Sequence, residues 1–119
     1  MRAALALLWE VFQDPRLLAV LELYVVARTD PALHAELLPV AEAHNGHVRE
    51  LARRFFPESE ADPEEFELTL TLVLHALHGM AVQRLLRPDD PTLARVLARL
   101  GTLAASALAP DAGVHGSPR

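Results

Sequence analysis

The chain has 119 residues, of which 51% are hydrophobic and 23% are charged, and it contains no cysteine. This length and composition predict a single folded domain and exclude a protein built on disulfides or thiolate chemistry. The formal net charge of −5 argues against a surface that wraps nucleic acid, because neutralising phosphates requires an excess of basic side chains. No apolar run reaches the roughly 18 residues of a membrane span, and the opening MRAALALL is too short for a signal peptide. We therefore expect a cytoplasmic protein without a membrane segment.

Asp-Pro pairs occur at positions 14–15, 30–31, 62–63 and 90–91, and each precedes a helix-like pattern. Aspartate can cap the free N–H groups at a helix start, and proline at the first helical position loses no needed donor. The pattern predicts five helices, at about 2–13, 15–29, 31–56, 63–87 and 91–108. The expected fold is an all-α five-helix bundle over residues 1–109, followed by a loose tail at 110–119 that is rich in Gly and Pro.

The fourth predicted helix has two apolar sides when its residues are placed at about 100° intervals. One side comprises Phe66, Leu70, Val73, Leu77, Met80 and Ala81. The other comprises Leu68, Leu72 and Leu86, and the narrow polar line between the two comprises Glu67, Thr71, His75 and His78. A helix that is apolar on two sides is normally buried on two sides. We expect the rest of its own subunit on one side and a second copy of the chain on the other.

The fifth predicted helix has a line of small residues, Ala94, Ala98, Gly101 and Ala105, beside a line of leucines. Small residues let two helix backbones approach closely, either within one subunit or across a symmetric interface. We favour the interface, because the last two helices together have more apolar surface than one small domain can bury. The prediction is a homodimer in which these helices form a four-helix bundle. The expected interface residues are Leu70, Leu77, Ala94, Leu97, Ala98, Gly101 and Ala105.

Polar side chains on otherwise apolar helix faces mark a candidate ligand site. The second helix has so few charges that most of its circumference should be covered. Its Tyr24 and Arg28 fit either a tyrosine whose hydroxyl has a buried partner and an arginine that reaches solvent at the helix end, or the wall of a cavity. In the third helix, Pro39 and Asn45-Gly46 predict a kink or a local break between positions 38 and 47. His44 lies beside this bend, either as a core residue or at a cavity. The expected ligand-binding residues are Trp9, Phe12, Tyr24, Arg28, His44, Thr71, His75 and His78.

Metal binding and catalysis are weaker hypotheses. His44 with His47, and His75 with His78, are spaced so that each pair could face one ion. The chain has no cysteine and no H-E-x-x-H motif, so we expect no metal and no cofactor. No serine lies in a nucleophile motif and there is no Gly-rich phosphate loop, so we expect no enzymatic activity.

Three segments, taken in order, resemble a known family. They are W-x-x-F-x-D-P at residues 9–15, L-E-L-x-x-x-A-R-T-D-P at 21–31 and H-G-M-A at 78–81. Over about residues 2–108 the chain is similar to the C-terminal regulatory domain of TetR-family transcriptional repressors. The resemblance implies that the last two long helices form the dimer bundle. It also implies that a mostly apolar pocket, among the earlier helices and the penultimate one, receives a small apolar or aromatic effector.

The family's three-helix DNA-binding head has no counterpart ahead of these segments. We therefore expect no nucleic-acid binding by this chain alone, whether it is a shortened form, a gene whose start lies upstream or a relative that has lost its head. Two alternatives remain open. One is a stand-alone helical dimerisation or interaction module whose histidines are core residues, and the other is a helical protein that binds metal through histidine.

Overall fold

The computed structural model describes residues 2–56 and 62–108, and over these ranges the protein consists of helices and short turns without a strand. The predicted all-α class is therefore confirmed. The five helices are α1 (Arg2–Phe12), α2 (Pro15–Ala27), α3 (Pro31–Phe55), α4 (Pro63–Leu86) and α5 (Thr92–Leu108). Every boundary lies within two residues of its predicted position. The predicted loose tail at 110–119 lies outside the described residues.

The Asp-Pro pairs begin the helices as predicted. In each pair the Asp carboxylate accepts a hydrogen bond from a backbone N–H in the first turn, which satisfies a donor that the helix itself leaves free. The bonds join Asp14 to Arg16 at 2.9 Å, Asp30 to Leu33 at 3.1 Å, Asp62 to Glu65 at 3.4 Å and Asp90 to Thr92 at 2.9 Å. Pro15, Pro31 and Pro63 each open their helix, so four local signals fix where four of the helices start.

The shortest helix, α1, contacts all four of the others. Its apolar stripe is buried, and Leu8 and Phe12 are completely covered. The facing side of α4 supplies the largest share of the core, with Val73 and Leu77 almost inaccessible to solvent. The hydrophobic core thus lies between α1, α4 and α5, and α2 and α3 close it from one side.

The two apolar sides of α4 differ in their exposure to solvent. The side predicted to face its own subunit is buried, as expected. Leu70 and Leu77, which we expected at the dimer interface, belong to this side and are covered by α1 and α5 of the same protomer, so a second copy cannot reach them in this arrangement. The opposite side is open to solvent, with 59% of Leu68, 64% of Leu72 and 83% of Leu86 exposed.

The small residues of α5 face α1 of the same protomer. A Cβ atom added at the buried Gly101 would lie 3.3 Å from Cδ2 of Leu5, so this glycine allows close packing inside the subunit. Ala94, Ala98 and Ala105 remain exposed and line a groove of about 540 Å³ between α1 and α5, together with the half-buried Leu97. The alternative of packing within the subunit therefore accounts for the position of Gly101.

The local break expected in α3 is absent, because the helix runs without interruption from Pro31 to Phe55. Pro39 removes the bond that its N–H would have made to the carbonyl of Ala35, but both residues are exposed and water can serve that carbonyl. Most of the circumference of α2 was expected to be covered, but Leu17 and Ala27 are its only buried residues in the protomer.

Candidate functional site

A cavity of about 450 Å³ lies between α2, α3 and α4. The most extensive helix contacts are those of α2 with α3 and of α4 with α5, so the cavity falls between two helical hairpins. Its walls combine three aliphatic side chains with five that carry polar groups. The lining residues are Leu21, Tyr24, Asn45, Val48, Arg49, Leu74, His75 and His78.

A charged cluster joins α3 to α4 at the rim of this cavity. Nη2 of Arg49 donates to Oε2 of Glu67 at 2.7 Å and to Oγ1 of Thr71 at 2.9 Å. Nη2 of Arg53 donates to the other carboxylate oxygen of Glu67 at 2.7 Å. Hydrogen bonds from Arg53 and then Arg49 hold the pKa of Glu67 below its ordinary value, so this carboxyl is ionised at neutral pH. The cluster fixes the guanidinium of Arg49 in place.

His78 lies deeper, between the cavity and the core. Its Nδ1 is 2.8 Å from the backbone oxygen of Leu74, and a carbonyl can only accept, so Nδ1 carries the proton. Its ring meets that of Phe12 edge-on, with the centroids 4.6 Å apart. Burial lowers the pKa of His78, the nearby His75 and His44 lower it further, and the bond to Leu74 opposes the shift. His78 is therefore neutral at pH 7, and its Nε2 is a hydrogen-bond acceptor.

Two buried polar atoms have no hydrogen-bond partner among the described residues, Oη of Tyr24 and Nε2 of His44. Burial raises the pKa of Tyr24, so its hydroxyl stays protonated and can donate. Buried polar atoms in folded proteins are nearly always paired. Two such atoms, one of them on the cavity wall, mark a place where hydrogen bonding to a bound molecule would be favourable.

A second cavity of about 240 Å³ lies between α2 and α3. Tyr24 and Asn45 line both cavities, so the two adjoin at these side chains. The other walls of the second cavity are more apolar than those of the first. They are Ala27, His34, Leu37, Leu38 and Ala41.

The structure brings most of the predicted ligand-binding residues to this region. Tyr24, His75 and His78 line the first cavity. Thr71 adjoins it through its bond to Arg49, and Phe12 adjoins it through its contact with His78. His44 lines neither cavity, although it precedes Asn45 on α3.

Trp9 and Arg28 do not line either cavity. Trp9 is half-buried on α1, where it packs against the hydrophobic core. Arg28 follows the last turn of α2 as its C-terminal cap and is exposed to solvent.

The sequence interpretation missed Arg49 and Asn45. A usable signal was present, because Glu67 and Thr71 lie one turn apart on the predicted fourth helix and Arg49 and Arg53 lie one turn apart on the third. Residues four apart share a helix face, so two such pairs of complementary polarity can meet across neighbouring helices. The register between the two helices, which the sequence does not reveal, decides whether they do.

Within residues 2–56 and 62–108, no three His, Asp or Glu side chains come together in a way that could hold a metal ion. None of the five described helices combines the length and apolar character needed to cross a bilayer. No protein-family model, curated protein or solved structure matches the chain.

Proposed function

We propose that this chain is an effector-binding and dimerisation domain like the regulatory domain of TetR-family repressors. In this proposal a small, mostly apolar molecule binds in the cavity between α2, α3 and α4. The observation that carries it is the cavity itself, in which Leu21, Val48 and Leu74 give apolar surface beside polar side chains, among them Tyr24, whose hydroxyl has no partner among the described residues. Small-molecule sites commonly combine apolar surface with polar groups that fix the orientation of the ligand. The order of the resembling sequence segments supports the same conclusion.

Binding at this place would act on the relation between two helical hairpins. The cavity has walls on α2 and α3 and a wall on α4, and the bonds of Arg49 to Glu67 and Thr71 cross the same gap. A ligand that touches both hairpins favours the arrangement in which its contacts are best satisfied, and it shifts the population by its difference in affinity. Because the cavity wall and the exposed leucines lie on the same helix, α4, such a shift would reach the outer face of that helix.

A thermal-shift panel of small apolar and aromatic compounds tests the binding proposal. At least one compound class should raise the melting temperature of the wild type, because a ligand that binds only the folded state stabilises it. Asn45→Trp should abolish this rise by filling the junction of the two cavities from an exposed position. Gly46→Trp is the matched control, because Gly46 follows Asn45 on α3, is exposed and lines neither cavity. A panel without any stabilising compound would refute the proposal.

The proposed partner is a second copy of the chain, on the outer faces of α4 and α5. Leu68, Leu72 and Leu86 are exposed on α4, and Val96 and Leu103 are exposed on α5. Gly79, near the middle of α4, has open space around the position of a Cβ atom, which would allow a close approach of another helix. Isolated exposed leucines are ordinary, but a continuous apolar face on two adjacent helices is typical of an interface. This face replaces the contacts first expected from Leu70, Leu77 and the small residues of α5.

Light scattering coupled to size exclusion tests the dimer. The wild type should elute as a dimer, and Leu72→Glu should give a monomer because it places a charge in the middle of the apolar face. Val25→Glu is the control, since Val25 is 60% exposed but lies on α2. A wild type that stays monomeric at high concentration would contradict the proposed interface.

The second candidate function is an interaction module without a ligand. The bond of His78 to Leu74 and its contact with Phe12 favour it, because they are what a satisfied core histidine would make. This candidate predicts that replacing His75 and His78 together by leucine stabilises the fold and leaves any compound response unchanged. The effector proposal predicts that the response is lost.

A further inference from the structure

The two adjoining cavities form an elongated space with unlike ends. The end near α4 has the polar side chains Arg49, His75 and His78. The end between α2 and α3 has Leu37, Leu38 and smaller apolar side chains, and one polar side chain, the exposed His34. Tyr24 and Asn45 stand at the junction. A ligand that fills both ends should be long, with its polar group at the end near α4.

Arg49 has hydrogen-bonding capacity to spare. A guanidinium has five N–H groups, and the bonds to Glu67 and Thr71 use only the two on Nη2. The three on Nε and Nη1 have no protein acceptor among the described residues. Because the network holds Arg49 at the rim, these donors are presented without the entropy cost of ordering a free side chain.

The charges around the polar end favour an anion. Arg49 and Arg53 carry two positive charges against the single negative charge of Glu67, so the cluster has a net charge of +1 (2 − 1). No Asp or Glu lines either cavity. A carboxylate at Arg49 would therefore gain charge-assisted hydrogen bonds without facing a like charge on the cavity wall.

We infer that the ligand class of this site is an elongated aliphatic monocarboxylate, with its carboxylate at Arg49 and its chain passing Tyr24 toward Leu37 and Leu38. The inference rests on the proposed binding function and specifies it. The hydroxyl of Tyr24 lines the same cavity as Arg49 and can donate to a carboxylate oxygen of such a molecule. The apolar walls beyond it match a hydrocarbon chain.

Calorimetric titration with decanoate, decanol and decylamine tests this inference on the whole chain. Decanoate should bind about tenfold or more tighter than decanol, as expected for hydrogen bonds to a charged group. Decylamine, with the opposite charge, should bind most weakly. Equal affinity for decanoate and decanol would overturn the inference.

Two arginine variants provide the matched comparison. Arg49→Gln and Arg53→Gln each remove a bond to Glu67, but only Arg49 lines the cavity. Arg49→Gln should abolish the preference for decanoate, and Arg53→Gln should keep decanoate affinity within about twofold. Arg49→Lys keeps the positive charge but loses the planar, forked set of N–H donors. It should show an intermediate preference for decanoate over decanol if the fold is intact by circular dichroism. An unchanged preference in Arg49→Gln would overturn the inference.

The thermal-shift panel of apolar and aromatic compounds separates failure of the carboxylate inference from failure of the effector-binding proposal. If aromatic or other apolar compounds stabilise the wild type and decanoate does not bind, the carboxylate inference fails and the effector-binding proposal stands. If neither the panel nor decanoate binds, both fail.

Discussion

The half of the molecule built by α1, α4 and α5 differs sharply from the half built by α2 and the beginning of α3. All of the largest fully buried side chains lie on α1 or α4. By contrast, α3 has no buried residue before Val48, and both polar cavities adjoin this region. Segments with few buried apolar contacts open at a low free-energy cost. The protein thus separates the part that stabilises the fold from the part whose walls can adapt to a ligand.

Removing a leucine from each half tests whether the two halves contribute unequally to the free energy of unfolding. Leu77→Ala should lower the free energy of unfolding by about 2–5 kcal/mol, because it leaves a cavity in a core that cannot collapse around it. Leu38→Ala, at an exposed position of α3, should change it by no more than about 0.5 kcal/mol. Urea denaturation measures both. Equal losses would show that the two halves contribute alike.

Two helical glycines, one in each half, should respond with opposite changes in stability when a side chain is added. Gly101→Leu should destabilise the protomer by about 1–3 kcal/mol, because its side chain would meet Leu5 between α1 and α5. Gly46→Ala should stabilise it by about 1 kcal/mol, since α3 has open space there and alanine is the better helix former. Thermal unfolding at fixed protein concentration checks the opposite signs. A stabilised Gly101→Leu would mean that α1 and α5 do not pack closely.

The charged cluster between the two halves should contribute less. Glu67→Gln should cost about 0.2–1 kcal/mol at low salt and less at high salt, because its ion pairs are partly exposed. The folded-state pKa of Glu67 lies below its unfolded value, so its contribution is present above about pH 4.5 and is lost as the pH falls further. Glu42→Gln, an exposed α3 variant outside the ion pairs of the described residues, should leave the salt dependence unchanged.

The smallest expected effect concerns His78, where the two halves meet. Its pKa is lowered in the folded state, so the unfolded chain binds more protons just below pH 6.5. Its contribution to stability is complete above that pH and declines as the pH falls through the folded-state pKa. His78→Gln should make the melting temperature less dependent on pH between about 5 and 7. An unchanged pH profile in His78→Gln would contradict the assigned shift.

The helices were predictable from the sequence because their signals are local. Each Asp-Pro pair needs only its own first turn to form a cap, and all four pairs do so. The all-α class and the two apolar sides of α4 followed for the same reason. Of the kink or local break expected between positions 38 and 47, the break is absent, since solvent can compensate for the bond lost at Pro39 in an exposed stretch of helix.

The arrangement of the helices was harder to predict, because it depends on how they pack. The small residues of α5 suited packing within the subunit as well as packing against a partner, and only the position of α1 shows which contact Gly101 makes. Leu70 and Leu77 were placed at an interface although they lie on the side of α4 that faces the core. Tyr24, His75 and His78 were found because they interrupt apolar faces. Arg49 was missed because its role exists only across two helices in a particular register.

The contact of α1 with α5 also has a consequence for biosynthesis. Leu5 and Gly101 meet although nearly the whole described chain separates them. Of the five described helices, α1 is made first and α5 last, so the apolar stripe of α1 is fully covered only after α5 has been made. Closing so long a loop costs entropy and slows folding. During translation, the apolar stripe of α1 is therefore accessible to chaperones until α5 emerges.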